Sequence, residues 1–276
     1  FGENARLMTL FSRSLTFYIT TLIVGFGLLA LSGCGAKRSP NTLVVGMELA
    51  YPPFEMTDEQ NVPTGVSVEI AKALAAELGK ELKIENIPFA GLIPSLRTGK
   101  IDLIISSMTR TEERAQSIDF SDPYLKTGLC ALVSKNTPIQ SIAEIDRKGM
   151  RVAVKQGTTG HVYANERIQN AQVLLFEKES AATLEVAQGK ADAFIYDQMS
   201  TYMNWKKHPA TTRPLLTPFT SESWAIGLKQ GNVELLDKVN RFLAKYKENG
   251  GFERLGDQFL SEQKQAFEKL GFPFFF

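Results

Sequence analysis

Two stretches of this chain repeat one another. In 96-LRTGKIDLIISS-107 and 186-VAQGKADAFIYD-197 a helix end runs into Gly-Lys, then an Asp, then a short apolar run, and the two stretches lie 90 positions apart. Glycine stops a helix because it takes the left-handed conformation that closes the last turn. The apolar run after it fits a strand covered on both faces. Gly-Lys-x-Asp alone is also a common helix stop before a strand, but the matching elements on both sides favour a fold of two similar lobes. The repeat makes Ser107 and Asp197 equivalent, each at the carboxyl end of a strand.

The rest of the pattern agrees. LVVGM, SVEIAKALAAEL closed by Gly79, LKIENI, GLIPSLRT closed by Gly99 and IDLIIS alternate strand and helix signals from Leu43 onward. A second series follows: 151-RVAVK, a helix from about His161, VLLF, a helix from about Ala181 closed by Gly189, and ADAFIY. Alternation of this kind predicts an α/β fold with a parallel or mixed sheet covered by helices. In open α/β sheets ligands bind at the carboxyl ends of strands. With two lobes facing each other, four such ends meet in one cleft: Met47 and Glu48, Ser106 and Ser107, Lys155 and Gln156, Tyr196 and Asp197.

Residues 1–33 stand apart from this pattern. Leu15 to Leu31 form a mostly apolar run after Arg13, ending in Leu31-Ser32-Gly33-Cys34. The run is short for a membrane span, which needs about 20 apolar residues, and reads as an export signal. Residues 1–7, ahead of Met8, read as upstream sequence. The Leu-Ser-Gly-Cys ending resembles the lipobox of bacterial lipoproteins, which implies lipidation of Cys34 and a membrane anchor. Residues 34–41 then form a tether. Setting aside Glu3, Arg6 and Arg13 of the leader leaves 29 basic and 29 acidic residues, so charge gives no reason to expect a nucleic-acid partner. His161 and His208 have no ligand-spaced Cys or acid, and neither a metal nor a cofactor is expected. Cys130, in the apolar run Leu129 to Val133, reads as a buried strand residue.

The charged residues at the strand ends have a shared logic. Thr109 and Glu112 have the spacing of a capping box, which places Arg114 near the start of a helix. A cation is disfavoured there unless an anion joins it. Its planar guanidinium suits a carboxylate, and Thr109 adds a donor. Gly157-Thr158-Thr159-Gly160 opens a helix on the other lobe and fits either a second donor set or an ordinary strand-to-helix turn. Asp197 fits an ammonium acceptor beside Ser107, or a plain helix N-cap. Together Arg114 and Asp197 describe the head of an α-amino acid. Tyr51, Phe54 and Phe89 suit apolar walls or plain core. Glu48 and Lys155 either reach a ligand's far end or pair with each other across the cleft.

On these residues the chain resembles the amino-acid-binding solute receptors of bacterial ABC importers. The resemblance runs from about Thr42 to Leu260 and is most specific in 46-GMELAYPPFE-55, 89-FAGLIPSLRTGKIDLIISSMTRTEERAQSIDFSDPY-124 and 192-DAFIYD-197. It implies a two-lobed periplasmic-binding-protein (type II) fold with two hinge crossovers, 124-YLKTG-128 and 220-TSESW-224. Lobe 1 is then 42–123 with 225–260, lobe 2 is 129–219, and 261–276 adds a helix and an aromatic tail whose Phe272 and Phe274–Phe276 either pack against lobe 1 or dock a partner. The resemblance implies that Arg114 grips the ligand carboxylate, Ser107 and Thr109 bind the head group, Thr159 helps the carboxylate and Asp197 receives the ammonium. Glu48, Tyr51, Phe89 and Lys155 then surround the side chain. It departs from the family at 65-GVSVE-69 and at Ala90, which bears on specificity. The expected function is a monomeric, extracytoplasmic receptor for a polar or basic L-amino acid that hands it to a permease. The alternative is an enzyme of the cyclohexadienyl dehydratase type with Glu48 as its acid.

Overall fold

A computed structural model describes residues 39–274. The expected leader (1–33), Cys34, residues 35–38 of the tether and Phe275–Phe276 lie outside the described residues.

In chain order the first part holds β1 (Thr42–Met47), β2 (Met56–Thr57), β3 (Pro63–Thr64), α1 (Val66–Glu77), β4 (Glu81–Asn86), α2 (Leu92–Arg97), β5 (Leu103–Ile104), α3 (Glu112–Ala115) and β6 (Asp119–Phe120). The middle holds β7 (Leu125–Thr127), β8 (Leu129–Ser134), β9 (Arg151–Lys155), α4 (Thr159–Arg167), β10 (Gln172–Phe176), α5 (Glu179–Ala187), β11 (Ala193–Asp197), α6 (Gln198–Lys207) and β12 (Thr212–Leu215). The last part holds β13 (Glu222–Trp224), β14 (Gly227–Leu228), α7 (Val233–Glu248), α8 (Gly251–Phe259) and α9 (Ser261–Lys269).

Two five-stranded sheets result, in the orders β4-β1-β5-β14-β6 and β10-β9-β11-β8-β12. The internal repeat reaches down to single bonds. Gly99 and Gly189 both have positive φ, 76° and 70°. Behind them Lys100 N–H donates to Ser95 O (2.9 Å) and Lys190 N–H to Glu185 O (2.8 Å), a six-residue closure that only a left-handed residue at the turn allows. The repeated acids then clamp the neighbouring strands: Asp102 Oδ2 accepts from Val44 N (2.9 Å) and Asp192 Oδ2 from Arg151 N (2.8 Å). Val45 pairs with Leu103, and Val152 with Ala193. Each acid thus sets the register in which a central strand joins its neighbour. The inner strands β1, β8, β9 and β11 are buried along nearly their whole length, as strands covered on both faces must be, while the edge strand β4 has alternating exposure.

The chain passes between the sheets twice. β7 leads from one to the other, β13 leads back, and the two pair antiparallel with Glu222 opposite Thr127 and Trp224 opposite Leu125. Gly128 ends β7 because a Cβ there would meet Thr220 O at 2.1 Å. Behind this ribbon the C-terminal segment departs from its expected packing on the first lobe alone. Phe267 is fully buried. Its ring lies 5.4 Å from that of Tyr202 on α6, the helix that follows β11, and Gln263 Nε2 donates to Met203 Sδ on the same helix. Phe272 closes over Phe267 at 6.2 Å. The aromatic spacing of this tail could not reveal which lobe would receive it.

Candidate functional site

The strand ends converge as expected, and the side chains on them reach across the cleft. Tyr51 Oη, just past β1, donates to Asp197 Oδ1 at the end of β11 (2.6 Å). Lys155 Nζ, at the end of β9, is ion-paired with Glu48 beyond β1. Arg114 Nη2 donates to Gly157 O (2.9 Å), while Nη1 donates to Thr109 O on its own side (2.5 Å). Phe89 lies between two cations, its ring centre 5.5 Å from both Arg114 Cζ and Lys155 Nζ. Tyr51 stacks on Phe54 and meets Tyr196 and Trp224 edge-on. These contacts hold the cleft shut. The space left between its walls is about 30 Å³, room for one or two waters, so a larger molecule enters only when it opens.

Two expectations require correction. The helix carrying Arg114 is not capped by Thr109. Its cap is Thr111, whose Oγ1 accepts from Arg114 N (3.2 Å). Thr109 is held extended by a bridge to Trp224, and its hydroxyl donates to Glu222 Oε2 (2.9 Å). Nor is the Ser107 hydroxyl free to donate to an incoming group, because its proton goes to Glu55 Oε2 (2.9 Å), although its lone pairs still face the cleft it lines. Ser107 takes φ 48°, a conformation uncommon outside glycine. The Gly157–Gly160 turn is capped conventionally by Thr158, which accepts from His161 N, while Thr159 opens α4 beside the cleft.

Asp197 does both things that were open to it. Its Oδ1 accepts from Ser200 N (3.0 Å), capping α6, as well as from Tyr51. Oδ2 is left for an incoming donor. Burial raises the Asp197 carboxyl to about 7, against the opposing pull of the Ser200 and Tyr51 bonds. In the shut cleft without ligand the carboxyl is therefore about half protonated near neutrality, and a ligand ammonium must take the place of that proton for the cleft to close on it. Affinity for an ammonium-bearing ligand is expected to be flat above about pH 8 and to fall as pH drops through 7, approaching tenfold per unit. Titration calorimetry at pH 5.5–8.5 checks this, with proton release appearing as a dependence on buffer ionisation enthalpy. A constant affinity across that range counts against Asp197 as the ammonium acceptor.

Two acids in the site were given no role by the sequence. Glu55 is buried and accepts from Ser67 Oγ (2.6 Å), Ser107 Oγ and Ser106 Oγ (3.3 Å). Burial raises it to about 8 despite those three bonds. The only signal for it was an acid directly after the aromatic pair of 51-YPPFE-55. Glu222, inside the second crossover, accepts from Thr109, Thr159 (3.1 Å) and Thr220 (3.3 Å). Arg114 is depressed mainly by burial, with Glu222 the largest influence opposing it.

Known proteins of this shape share the whole domain. The family model for bacterial extracellular solute-binding proteins, family 3, matches residues 43–262. The L-cystine-binding protein TcyJ of Escherichia coli (strain K12) is 30% identical over 221 residues, which cover 80% of this chain and 83% of that protein. An ancestral arginine-binding protein bound to arginine superposes with a TM-score of 0.76 at 32% identity, over 81% of this chain and 100% of that one. The ancestral amino acid-binding protein AncCDT-1, a precursor of cyclohexadienyl dehydratase, does so with a TM-score of 0.74 at 35% identity, over 79% of this chain and 95% of that one.

Proposed function

The chain belongs to the family 3 bacterial extracellular solute-binding proteins, and on that footing we propose that it closes on a polar or basic L-amino acid outside the cytoplasm and delivers it to an ABC permease. The observation that carries this reading is the placement of Arg114 and Asp197 in one shut cleft between two sheets joined by a two-strand ribbon. A guanidinium and a carboxylate lining one cleft match the two charges of a zwitterion, and hinge closure over a ligand is the motion such a ribbon permits. Thr109, Thr159, Glu48, Tyr51, Phe89 and Lys155 line the same cleft.

The Glu48–Lys155 pair favours an uncharged polar side chain such as that of glutamine, since the pair already balances itself. The relatives named above bind cystine and arginine, which keeps basic side chains in the test set. We place the protein in the periplasm or at the cell surface, anchored to a membrane by a lipid on Cys34, and acting as a monomer with no cofactor.

The enzyme reading has one observation in its favour. Glu55 is a carboxyl in the cleft that stays protonated at neutral pH, which is what a general acid requires. Glu48, the acid first considered, is engaged by Lys155. Turnover of prephenate or arogenate by the purified protein would move this reading to first place.

A thermal-shift screen decides. The protein lacking residues 1–34, refolded to strip carried-over ligand, is tested against the twenty L-amino acids, ornithine and citrulline. A ligand at 100 times its dissociation constant stabilises by about 2.7 kcal/mol, which for a domain of this size is roughly 5–10 °C. One or a few amino acids should give that shift. None doing so overturns the receptor reading.

A further inference from the structure

Glu222 enters the cleft from β13, the return strand of the ribbon. Its Oε2 accepts from Thr109 Oγ1 at 2.9 Å and from Thr159 Oγ1 at 3.1 Å. Thr109 follows β5 of the first sheet and Thr159 opens α4 beside the second, so a single oxygen gathers hydroxyls from both sides of the cleft. It can do so only while the cleft is shut. Its other oxygen takes Thr220 Oγ1 at 3.3 Å.

A threonine hydroxyl has one proton and two lone pairs. Having given the proton to Glu222, Thr109 and Thr159 present lone pairs alone to anything else in the cleft. Lone pairs receive an ammonium and cannot donate to a carboxylate. We propose that Glu222 is a positioning and specificity-determining residue: it fixes both threonines as acceptors, so that the head-group site demands an ammonium beside the carboxylate held by Arg114. The inference deepens the amino-acid reading and rests on it. It favours α-amino acids over 2-hydroxy acids of the same outline, because an ammonium has three protons for these acceptors where a hydroxyl has one. It also takes the Thr159 hydroxyl out of the carboxylate role expected of it, since its proton is held by Glu222. The charge of Glu222 acts on both poles of the site, reinforcing the positive charge of Arg114 and opposing the ionisation of Asp197.

The test is Glu222→Leu, which nearly keeps the volume and removes both acceptor oxygens. Thr109 and Thr159 then lose the group that holds their protons, and those protons become available to the ligand. Calorimetry compares L-arginine with argininic acid, its 2-hydroxy analogue, and L-glutamine with its 2-hydroxy analogue. The unaltered protein should prefer the amino acid of the pair it binds. In the variant that preference should shrink at least tenfold, with amino-acid affinity falling and hydroxy-acid affinity unchanged or higher. Thr109→Val, which removes the lone pairs themselves, should shrink it as well, and keeps the question open to test if the first variant folds poorly. Equal losses for both members of a pair would mean a merely structural role. Equal gains would mean that Glu222 competes with the ligand carboxylate. Either result overturns the inference while leaving the amino-acid reading in place. Failure of the unaltered protein to bind either amino acid overturns both.

Discussion

Alanine at position 114 is expected to weaken amino-acid binding by about 30-fold to 5,000-fold while leaving the fold intact. The guanidinium reaches into the cleft from the four-residue helix α3, where its two terminal nitrogens rest on the carbonyls of Thr109 and Gly157. Carbonyls carry no charge, so the full positive charge of Arg114 is available to a ligand carboxylate. Removing one member of a buried, hydrogen-bonded charge pair costs about 2–5 kcal/mol, and each 1.4 kcal/mol is a factor of ten. The fold should tolerate the change because α3 is partly exposed and contributes no fully buried side chain. Arg114→Lys should recover part of the loss, since an ammonium supplies charge without the paired donors of the fork. Calorimetry on the ligand found by thermal shift measures this directly. A loss below about threefold would remove Arg114 from the site.

Alanine at position 155 should have an effect nearly as large, but one that depends on the ligand. Lys155 is 2% exposed and the Glu48 side chain 11%, so both charges are out of water when the cleft is shut. Taking away one partner of a buried pair costs about 3–5 kcal/mol. Because the partners sit on opposite sides, Glu48 regains water once the cleft opens, and the penalty falls on closure and not on folding. An uncharged ligand should therefore lose about 100-fold or more in affinity. Arginine, lysine or ornithine can supply the missing cation to Glu48, and should lose much less. Preference should move towards cationic ligands by at least tenfold, with little change in the melting temperature of the ligand-free protein. Equal losses for glutamine and arginine would sink the pairing account.

What could be read from the sequence was what local chemistry decides. The Gly-Lys stops of α2 and α5 and the acids that clamp the following strands depend on residues a few positions apart, and they repeat in the structure bond for bond. Strand-end logic brought Glu48, Ser107, Lys155 and Asp197 to one place without any knowledge of the turns between them. What escaped was settled by distant partners. Thr109 has the spacing of a cap, yet Glu222 takes its hydroxyl from 113 positions away, and the cap falls to Thr111. Glu55 reads as an acid in a turn, and its burial depends on serines 12, 51 and 52 positions further on. Phe267 has the spacing of a core residue, and only the assembled fold says that the core it joins includes Tyr202 of α6.

The ribbon of β7 and β13 is three residue pairs wide in register, and the contact of Phe267 with Tyr202 lies behind it. A pair of hydrogen-bonded strands flexes out of its plane and resists sliding or splaying within it. Bending is then the easiest path by which such a clamp opens and shuts. Ligands of different chemistry differ chiefly in how far along that path they hold it. The outline offered to a membrane partner encodes closure itself and carries little information about which side chain lies inside, so selectivity must be exercised before that outline is complete, during capture and closing.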